Sequence, residues 1–140
     1  MIWSRNRTVY FGEDDSSGLI YFPVYFQYMS EGDQEVFAAL GFAVPEQVAA
    51  RITAPTVHVE CDYLEPARAG DVLTQQVTVT AGRRSSIVSE HEFRRGEVVL
   101  ARGRIVRAFV SLDEMRSVEV PAGLRAALSA GLPAGAPGAP

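Results

Sequence analysis

GEDDSSGLIYFPVYFQYMSEGDQEVFAAL, residues 12–40, joins a short acidic loop to the only long helical pattern in the sequence. Pro23 suits the first turn of a helix, and apolar side chains recur from there at near-helical spacing. Gly41 follows as a stop signal. We therefore predict one long helix from Pro23 to about Leu40, with its apolar stripe in the core.

Alternating apolar and polar side chains on either side of this helix predict β-strands. Turns that contain glycine or proline separate the predicted strands, which are residues 4–11, 56–64, 72–81, 85–94 and 98–112. Residues 45–51 are interpreted as a connection that can include a helical turn, and residues 122–130 as a short helix. One long helix followed by an antiparallel meander predicts an α+β fold, with the sheet wrapped around the helix. The edges and outer face of such a sheet favour oligomers.

The length of 140 residues suits one domain, predicted at 1–130, with a flexible Gly/Pro/Ala-rich tail at 131–140. No apolar run approaches the ~20 residues of a membrane helix. Residues 1–7 lack the apolar stretch of a signal peptide. We expect a cytoplasmic protein without membrane contact. Cys61 is the only cysteine, so no internal disulfide is available, and its strand pattern predicts a buried structural thiol.

The basic residues exclude several kinds of chemistry. All 13 are arginine, so Schiff-base, P-loop and pyridoxal-phosphate chemistry, which need lysine, are excluded. The net charge of −4 argues against general nucleic-acid binding. His58 and His91 fall on different predicted strands without metal-ligand spacing, and we expect His58 to be exposed or near a subunit interface. No metal site is predicted.

The acidic loop places three adjacent carboxylates, Glu13, Asp14 and Asp15, between two glycines. From the residues alone, they either cap the following helix or supply a nucleophile or general base beside its free N–H groups. Like charges repel, so the neighbouring Asp14 is expected to raise the proton affinity of Asp15.

Residues 9–26 resemble the signature of hotdog-fold acyl-CoA thioesterases. The resemblance is closest to the 4-hydroxybenzoyl-CoA thioesterase branch, whose loop is roughly Phe-Gly-Asp-x-Asp-x-x-Gly-Ile-Val-x-x-Pro. Residues 69–73, 82–86, 107–109 and 116–121 resemble later segments of that branch in the same order. The resemblance spans about residues 5–125. It implies a hotdog fold, in which an antiparallel sheet wraps around one long central helix.

The resemblance also implies roles for individual residues. Asp15 falls on the catalytic carboxylate, Glu13 on the acid that organises the loop, and Gly18 on the glycine that turns the chain into the helix. The backbone amide of Phe22 falls on the donor that polarises the thioester carbonyl. The positions associated with the phosphates of CoA are Arg83, Arg84, Ser86 and Arg116.

The acyl pocket is predicted at Tyr25 and Ser30. Ser30 stands where the branch often has an aspartate near the acyl ring, so the residues do not specify the acyl group. The aromatic stretch from Tyr21 to Tyr28 suits a flat or aromatic acyl group. Arg116 has acidic neighbours along the chain, so an ion-pair role is an alternative to CoA binding.

The expected function is hydrolysis of an aromatic or short acyl-CoA by a homotetramer, a dimer of dimers, without a metal or redox cofactor. Three alternatives remain open at this point. The first is a thioesterase for acyl carrier protein, and the second is a hotdog hydratase or dehydratase, which would need a histidine near the helix. The third is a non-catalytic module that binds acyl-CoA.

Overall fold

The computed structural model describes residues 2–132 and 137–139. Its three helices are α1 (Pro23–Ala39), α2 (Val44–Ala49) and α3 (Ala122–Ala130). Its strands are β1 (Ile2–Thr8), β2 (Ile52–Thr53), β3 (Thr56–Tyr63), β4 (Val72–Ala81), β5 (Ser86–Arg95), β6 (Val98–Ala108) and β7 (Val110–Ser111). No helix in these residues is long and apolar enough to span a membrane.

Five strands form one antiparallel sheet in the order β1-β4-β5-β6-β3. The helix α1 packs against one face of this sheet, and the two short strands β2 and β7 pair separately. The predicted α+β arrangement, an antiparallel sheet around one long helix, is confirmed.

The core between α1 and the sheet consists of two clusters. Under the C-terminal half of α1, Val36 and Phe37 pack with Trp3 of β1 and with α3. Under the N-terminal half, Tyr25 and Tyr28 pack with Leu73, Phe93 and Leu100. The two clusters define two ends of the molecule, and the acidic loop lies at the second end.

Two predicted strands end earlier than their patterns indicate. Residues 9–11 leave the sheet because Glu13 forms a turn, in which its backbone N–H donates to Tyr10 O (3.1 Å) and its carboxylate accepts from Tyr10 N (2.7 Å). The predicted strand 98–112 leaves the main sheet after Ala108. Phe109 is buried and donates its N–H to Ser85 O (2.8 Å), so the next two residues pair with β2, directly after the segment predicted as a connection.

The strand β3 is an edge strand, which explains its unexpected exposure. Val57 is 61% exposed and Val59 is 43% exposed. Cys61 was expected to be buried but is only half-buried. Burial still raises the pKa of the Cys61 thiol to about 11, so the thiol is protonated at neutral pH and is a poor nucleophile.

The predicted flexible tail falls partly on residues 133–136 and 140, which lie outside the described residues. Residues 137–139 lie against the start of β1. There, Ser4 N donates to Gly138 O (2.8 Å), and Trp3 Nε1 donates to Pro137 O (3.0 Å).

Candidate active site

The acidic loop folds back on itself between β1 and α1. Asp15 N donates to Leu19 O (2.8 Å), Gly18 N donates to Asp15 O (3.0 Å), and Tyr21 N donates to Glu13 O (2.9 Å). Gly18 has φ +77°, in the left-handed region that favours glycine. The glycine predicted to turn the chain toward the helix therefore has the backbone conformation that such a turn requires.

The Asp15 carboxylate is exposed and accepts two hydrogen bonds from Ser17. The donors are the Ser17 backbone N–H (2.8 Å) and the Ser17 hydroxyl, which is in very close contact. These bonds stabilise the charged form and lower the pKa of Asp15 below its ordinary value. The raised pKa expected from the neighbouring Asp14 is not found, because the hydrogen bonds from Ser17 lower the pKa of Asp15 overall. Asp15 is therefore ionised at neutral pH and can act as a nucleophile or base.

The N-terminus of α1 offers a backbone donor beside this carboxylate. Phe22 N–H donates to no acceptor within residues 2–132 and 137–139. Pro23 has no N–H, and Val24 N donates to Tyr21 O (2.9 Å). The Phe22 N–H, with the positive end of the helix dipole behind it, is thus available to an incoming oxygen.

Asp15 and Phe22 line one cavity of about 330 Å³. Its other walls come from Tyr25 on α1, Tyr63 on β3 and the loop of residues 64–67. The Tyr25 ring lies 5.7 Å from the Tyr63 ring and 5.1 Å from the Phe93 ring, measured between centroids. The structure therefore brings four of the predicted site residues together in this part of the molecule: Asp15, Gly18, Phe22 and Tyr25.

Glu13 anchors the loop to the rest of the fold. Its carboxylate accepts from Tyr28 Oη (2.8 Å), from Arg7 Nη2 (2.9 Å) and from the Tyr10 N–H described above. The Arg7 guanidinium also lies over the Tyr28 ring, 4.4 Å from its centroid. These contacts support the predicted role of Glu13 in organising the loop.

The anchor continues into the core as a chain of polar contacts. Arg7 and Arg5 both bind Glu31 on α1, at 3.1 and 2.8 Å. Arg5 Nε then donates to Gln75 Oε1 (2.8 Å). The Gln75 amide nitrogen donates to Tyr28 O (2.9 Å), so both ends of this amide are fixed.

His91 continues this chain at the centre of the core. Gln75 Nε2 lies 3.0 Å from His91 Nδ1. Because that amide nitrogen can only donate, Nδ1 accepts and the ring proton is on Nε2. His91 Nε2 lies 3.1 Å from Asp33 Oδ1, although the two are not aligned for a hydrogen bond.

Asp33 on α1 is buried between His91 and Arg107. Its second carboxylate oxygen accepts from Arg107 Nε (2.9 Å). Burial alone would raise the pKa of Asp33, but His91, Arg107 and Ser89 beside it lower the pKa overall. Asp33 and His91 both lie outside the cavity that contains Asp15.

The sequence did not predict this polar chain, although it contains a signal for it. Gln75 lies between Leu73 and Val77 on its strand, and Asp33 lies between Met29 and Val36 on the helix. His91 occupies a core-facing position two residues before Phe93. Polar residues at core positions of three different elements indicate a shared network. Ser17 and Tyr63 were also missed, and neither has a distinctive sequence pattern.

Three of the residues predicted to bind CoA lie at the end of the sheet opposite the Asp15 cavity. Arg83 and Arg84 are in the hairpin between β4 and β5, and Ser86 begins β5. Phe93, which contacts Tyr25, lies seven residues further along β5 than Ser86. At the usual rise of a strand, the hairpin end and the Tyr25 end of β5 are therefore about 23 Å apart. One chain therefore does not bring the arginines to the cavity that contains Asp15.

The ion-pair alternative for Arg116 has no support in the described residues. Glu119 binds Arg84 (3.0 Å), and Asp113 binds Arg51 (2.7 Å). Arg116 makes no ion pair within residues 2–132 and 137–139.

Ser30 lies apart from the other predicted acyl-pocket residue. It lines a second cavity of about 270 Å³, together with Gln34 and Arg107. Tyr25 and Ser30 thus belong to different cavities in one chain. His58 is exposed, as predicted, and the part of the chain that the structure describes holds no cluster of residues suited to a metal ion.

The chain is similar to known thioesterases and CoA hydrolases. Residues 9–128 match the family described as the thioesterase-like superfamily. A 4-hydroxybenzoyl-CoA thioesterase from Pseudomonas sp. (strain CBS-3) is 28% identical over 129 residues, covering 85% of this chain and 92% of the relative. A 1,4-dihydroxy-2-naphthoyl-CoA hydrolase from Synechocystis sp. is 24% identical over 122 residues, covering 85% of this chain and 88% of the relative.

The fold is also that of known thioesterases. The crystal structure of a 1,4-dihydroxy-2-naphthoyl-CoA thioesterase from Synechocystis has a TM-score of 0.85 at 22% identity, covering 92% of this chain and 96% of that one. This likeness, with the family match, confirms the hotdog fold that the sequence resemblance implies.

Proposed function

The chain belongs to the thioesterase-like superfamily, and we propose that it is an acyl-CoA thioesterase that acts on an aromatic or short acyl group. The observation that carries this proposal is the ionised Asp15 carboxylate in one cavity with the unpaired Phe22 N–H. The relatives are named for hydroxylated aromatic acyl-CoA substrates, and the aromatic lining of the cavity suits a flat acyl group.

The proposed reaction uses groups that this site contains. The thioester carbonyl oxygen accepts a hydrogen bond from Phe22 N–H, and the Asp15 carboxylate either attacks the carbonyl carbon or removes a proton from an attacking water. The C–S bond then breaks and CoA leaves as a thiolate. Direct attack gives a mixed anhydride, which water hydrolyses to the free acid. Neither route needs a cofactor.

The helix N-terminus supports the charged intermediate. Negative charge develops on the former carbonyl oxygen, next to Phe22 N–H and the positive end of the α1 dipole. A well-placed donor of this kind contributes about 3–4 kcal/mol to transition-state stabilisation.

A second copy of the chain is part of the proposed site. The outer edge of β3 pairs with no strand in residues 2–132 or 137–139, and its exposed valines suit an interface. Two β3 strands paired antiparallel about a two-fold axis would bring the Tyr63 end of one chain to the Thr56 end of its partner. The partner's hairpin end would then approach the Asp15 cavity, where its arginines could bind the phosphates of CoA. The proposed assembly is a homotetramer built from two such dimers.

Replacement of Asp15 tests the catalytic role. We expect Asp15→Asn to lower kcat by at least about 100-fold, because the neutral amide is neither nucleophile nor base. Release of thiol from benzoyl-, 4-hydroxybenzoyl- and short aliphatic acyl-CoAs measures the rate, and acyl-carrier-protein thioesters of the same acids test the alternative carrier.

Asp14→Asn is the matched control, because it removes the same charge one residue away. Its activity should stay close to that of the wild type. The proposal is wrong if the wild type releases thiol from none of these substrates, or if Asp15→Asn retains full activity.

A further inference from the structure

The Tyr25 hydroxyl is a buried hydrogen-bond donor without an acceptor among the described residues. Tyr25 is 2% exposed, and its Oη bonds to no atom within residues 2–132 and 137–139. Its ring is fixed between Tyr63 and Phe93. A buried hydroxyl without a partner destabilises a folded protein, so its presence indicates that a ligand supplies the acceptor.

The hydroxyls of the two neighbouring tyrosines, Tyr28 and Tyr63, both have acceptors within the protein. Tyr28 Oη donates to Glu13 (2.8 Å), and Tyr63 Oη donates to Phe22 O (3.2 Å). Both hydroxyls therefore have structural partners, whereas the Tyr25 hydroxyl has none among the residues described.

The position of Tyr25 points to the acyl group as the ligand. Tyr25 lines the cavity with Asp15 and lies in the first turn of α1, three residues after Phe22. Phe22 N–H is already available for the carbonyl oxygen, while the Tyr25 ring extends toward Phe93 on β5. Burial raises the pKa of Tyr25 to about 12, so its hydroxyl keeps its proton at neutral pH and can donate it to a ligand atom that accepts.

We propose that Tyr25 is a specificity-determining residue, whose Oη–H donates a hydrogen bond to an oxygen carried on the acyl ring. The inference rests on the proposed thioesterase function and names its substrate class, an aroyl-CoA with a hydroxyl, alkoxy or carbonyl oxygen on the ring. An unsubstituted ring would leave the buried hydroxyl unpaired, so the site should discriminate against it.

Tyr25→Phe separates recognition from catalysis. It should lower kcat/KM for the preferred hydroxybenzoyl-CoA by about 10- to 100-fold more than kcat/KM for benzoyl-CoA. Its melting temperature should not fall, because the variant removes an unpaired polar group. The measurements are thiol release from benzoyl-CoA and from its 2-, 3- and 4-hydroxy derivatives, together with thermal unfolding.

Tyr28→Phe is the matched control, a second buried tyrosine whose hydroxyl already has an acceptor. Loss of its bond to Glu13 should lower the melting temperature and affect all four substrates alike. An equal loss on benzoyl- and hydroxybenzoyl-CoA in Tyr25→Phe would overturn the inference, as would no loss on either, while the thioesterase function would stand. A wild type inactive on all aroyl-CoAs would instead overturn the proposed function for this class and the inference with it.

A second measurement on the wild type does not depend on the variant's folding. A methyl group occupies about the volume of a hydroxyl but cannot accept a hydrogen bond. Methylbenzoyl-CoA, substituted at the preferred ring position, should therefore react about 10- to 100-fold more slowly than the hydroxy compound, and methoxybenzoyl-CoA should keep part of the advantage. Equal rates for the methyl and hydroxy compounds would overturn the inference.

Discussion

Ser17 lowers the pKa of the proposed catalytic carboxylate. Its hydroxyl and backbone N–H lower the pKa of Asp15, so the active ionised form persists as the pH falls toward the acid range. We predict that Ser17→Ala moves this pKa up toward the ordinary aspartate value of about 3.9. The acid limb of the kcat/KM profile should then shift to higher pH, because a protonated carboxyl neither attacks nor accepts a proton.

Ser16→Ala is the control for this shift, since the Ser16 side chain makes no hydrogen bond to Asp15. The pH–rate profiles of both variants, with circular dichroism to verify folding at each pH, provide the comparison. If the two acid limbs coincide, Ser17 does not control the ionisation of Asp15.

At the scale of elements, the fit of α1 against β4 depends on Gly32. A Cβ built there would overlap the Gln75 side-chain amide, which is fixed between Arg5, Tyr28 O and His91. Alanine usually favours a helix over glycine by about 1 kcal/mol. Overpacking of a core typically costs about 1–3 kcal/mol. We predict that the second effect prevails and that Gly32→Ala lowers the free energy of unfolding, as measured by urea denaturation.

Gly123→Ala provides a matched helical control. Gly123 lies in α3, where a Cβ meets no atom within 4 Å. That variant should have unchanged or slightly higher stability. If Gly32→Ala were as stable as the wild type, the Gln75 amide would not be held rigidly by its three partners.

Local patterns predicted the elements better than the interior contacts between them. The proline at position 23 and the glycine at position 41 placed the ends of α1 within one residue of Pro23–Ala39. The acidic loop indicated Asp15 because its chemistry depends on neighbours in the chain. The contact between Asp33 and His91 was not predicted, because the two residues are 58 positions apart in sequence and only packing of the helix on the sheet brings them together. Exposure of β3 likewise depends on which strand lies at the edge, which alternation does not specify.

For the whole molecule, mixed assemblies test whether the arginines act across subunits. One variant is Asp15→Asn, and the other carries Arg83→Ala with Arg84→Ala. In a mixed dimer, the intact Asp15 of one chain would face the intact arginines of the other. We predict that coexpression, with random pairing, restores about a quarter of the wild-type sites. The readout is kcat/KM at low substrate, compared with the average of the two parents.

The arginine variant should fold normally, because the pair between Arg84 and Glu119 is exposed and such pairs add little stability. Size measurement in solution verifies the assembly of each sample. If mixed samples only match the average of the parents, the arginines do not complete the partner's site. A monomeric wild type would exclude a shared site.

The two edges of the main sheet are not equivalent. Residues 137–139 occupy hydrogen-bonding positions at the start of β1, while β3 has an uncovered edge among the described residues. A strand arriving at β1 would first have to displace them, whereas a strand arriving at β3 would not. Pairing through β3 therefore uses the accessible edge of both copies at once. The chain's own C-terminal segment thus favours a closed pair over edge-to-edge polymerisation, the hazard that open sheets otherwise face.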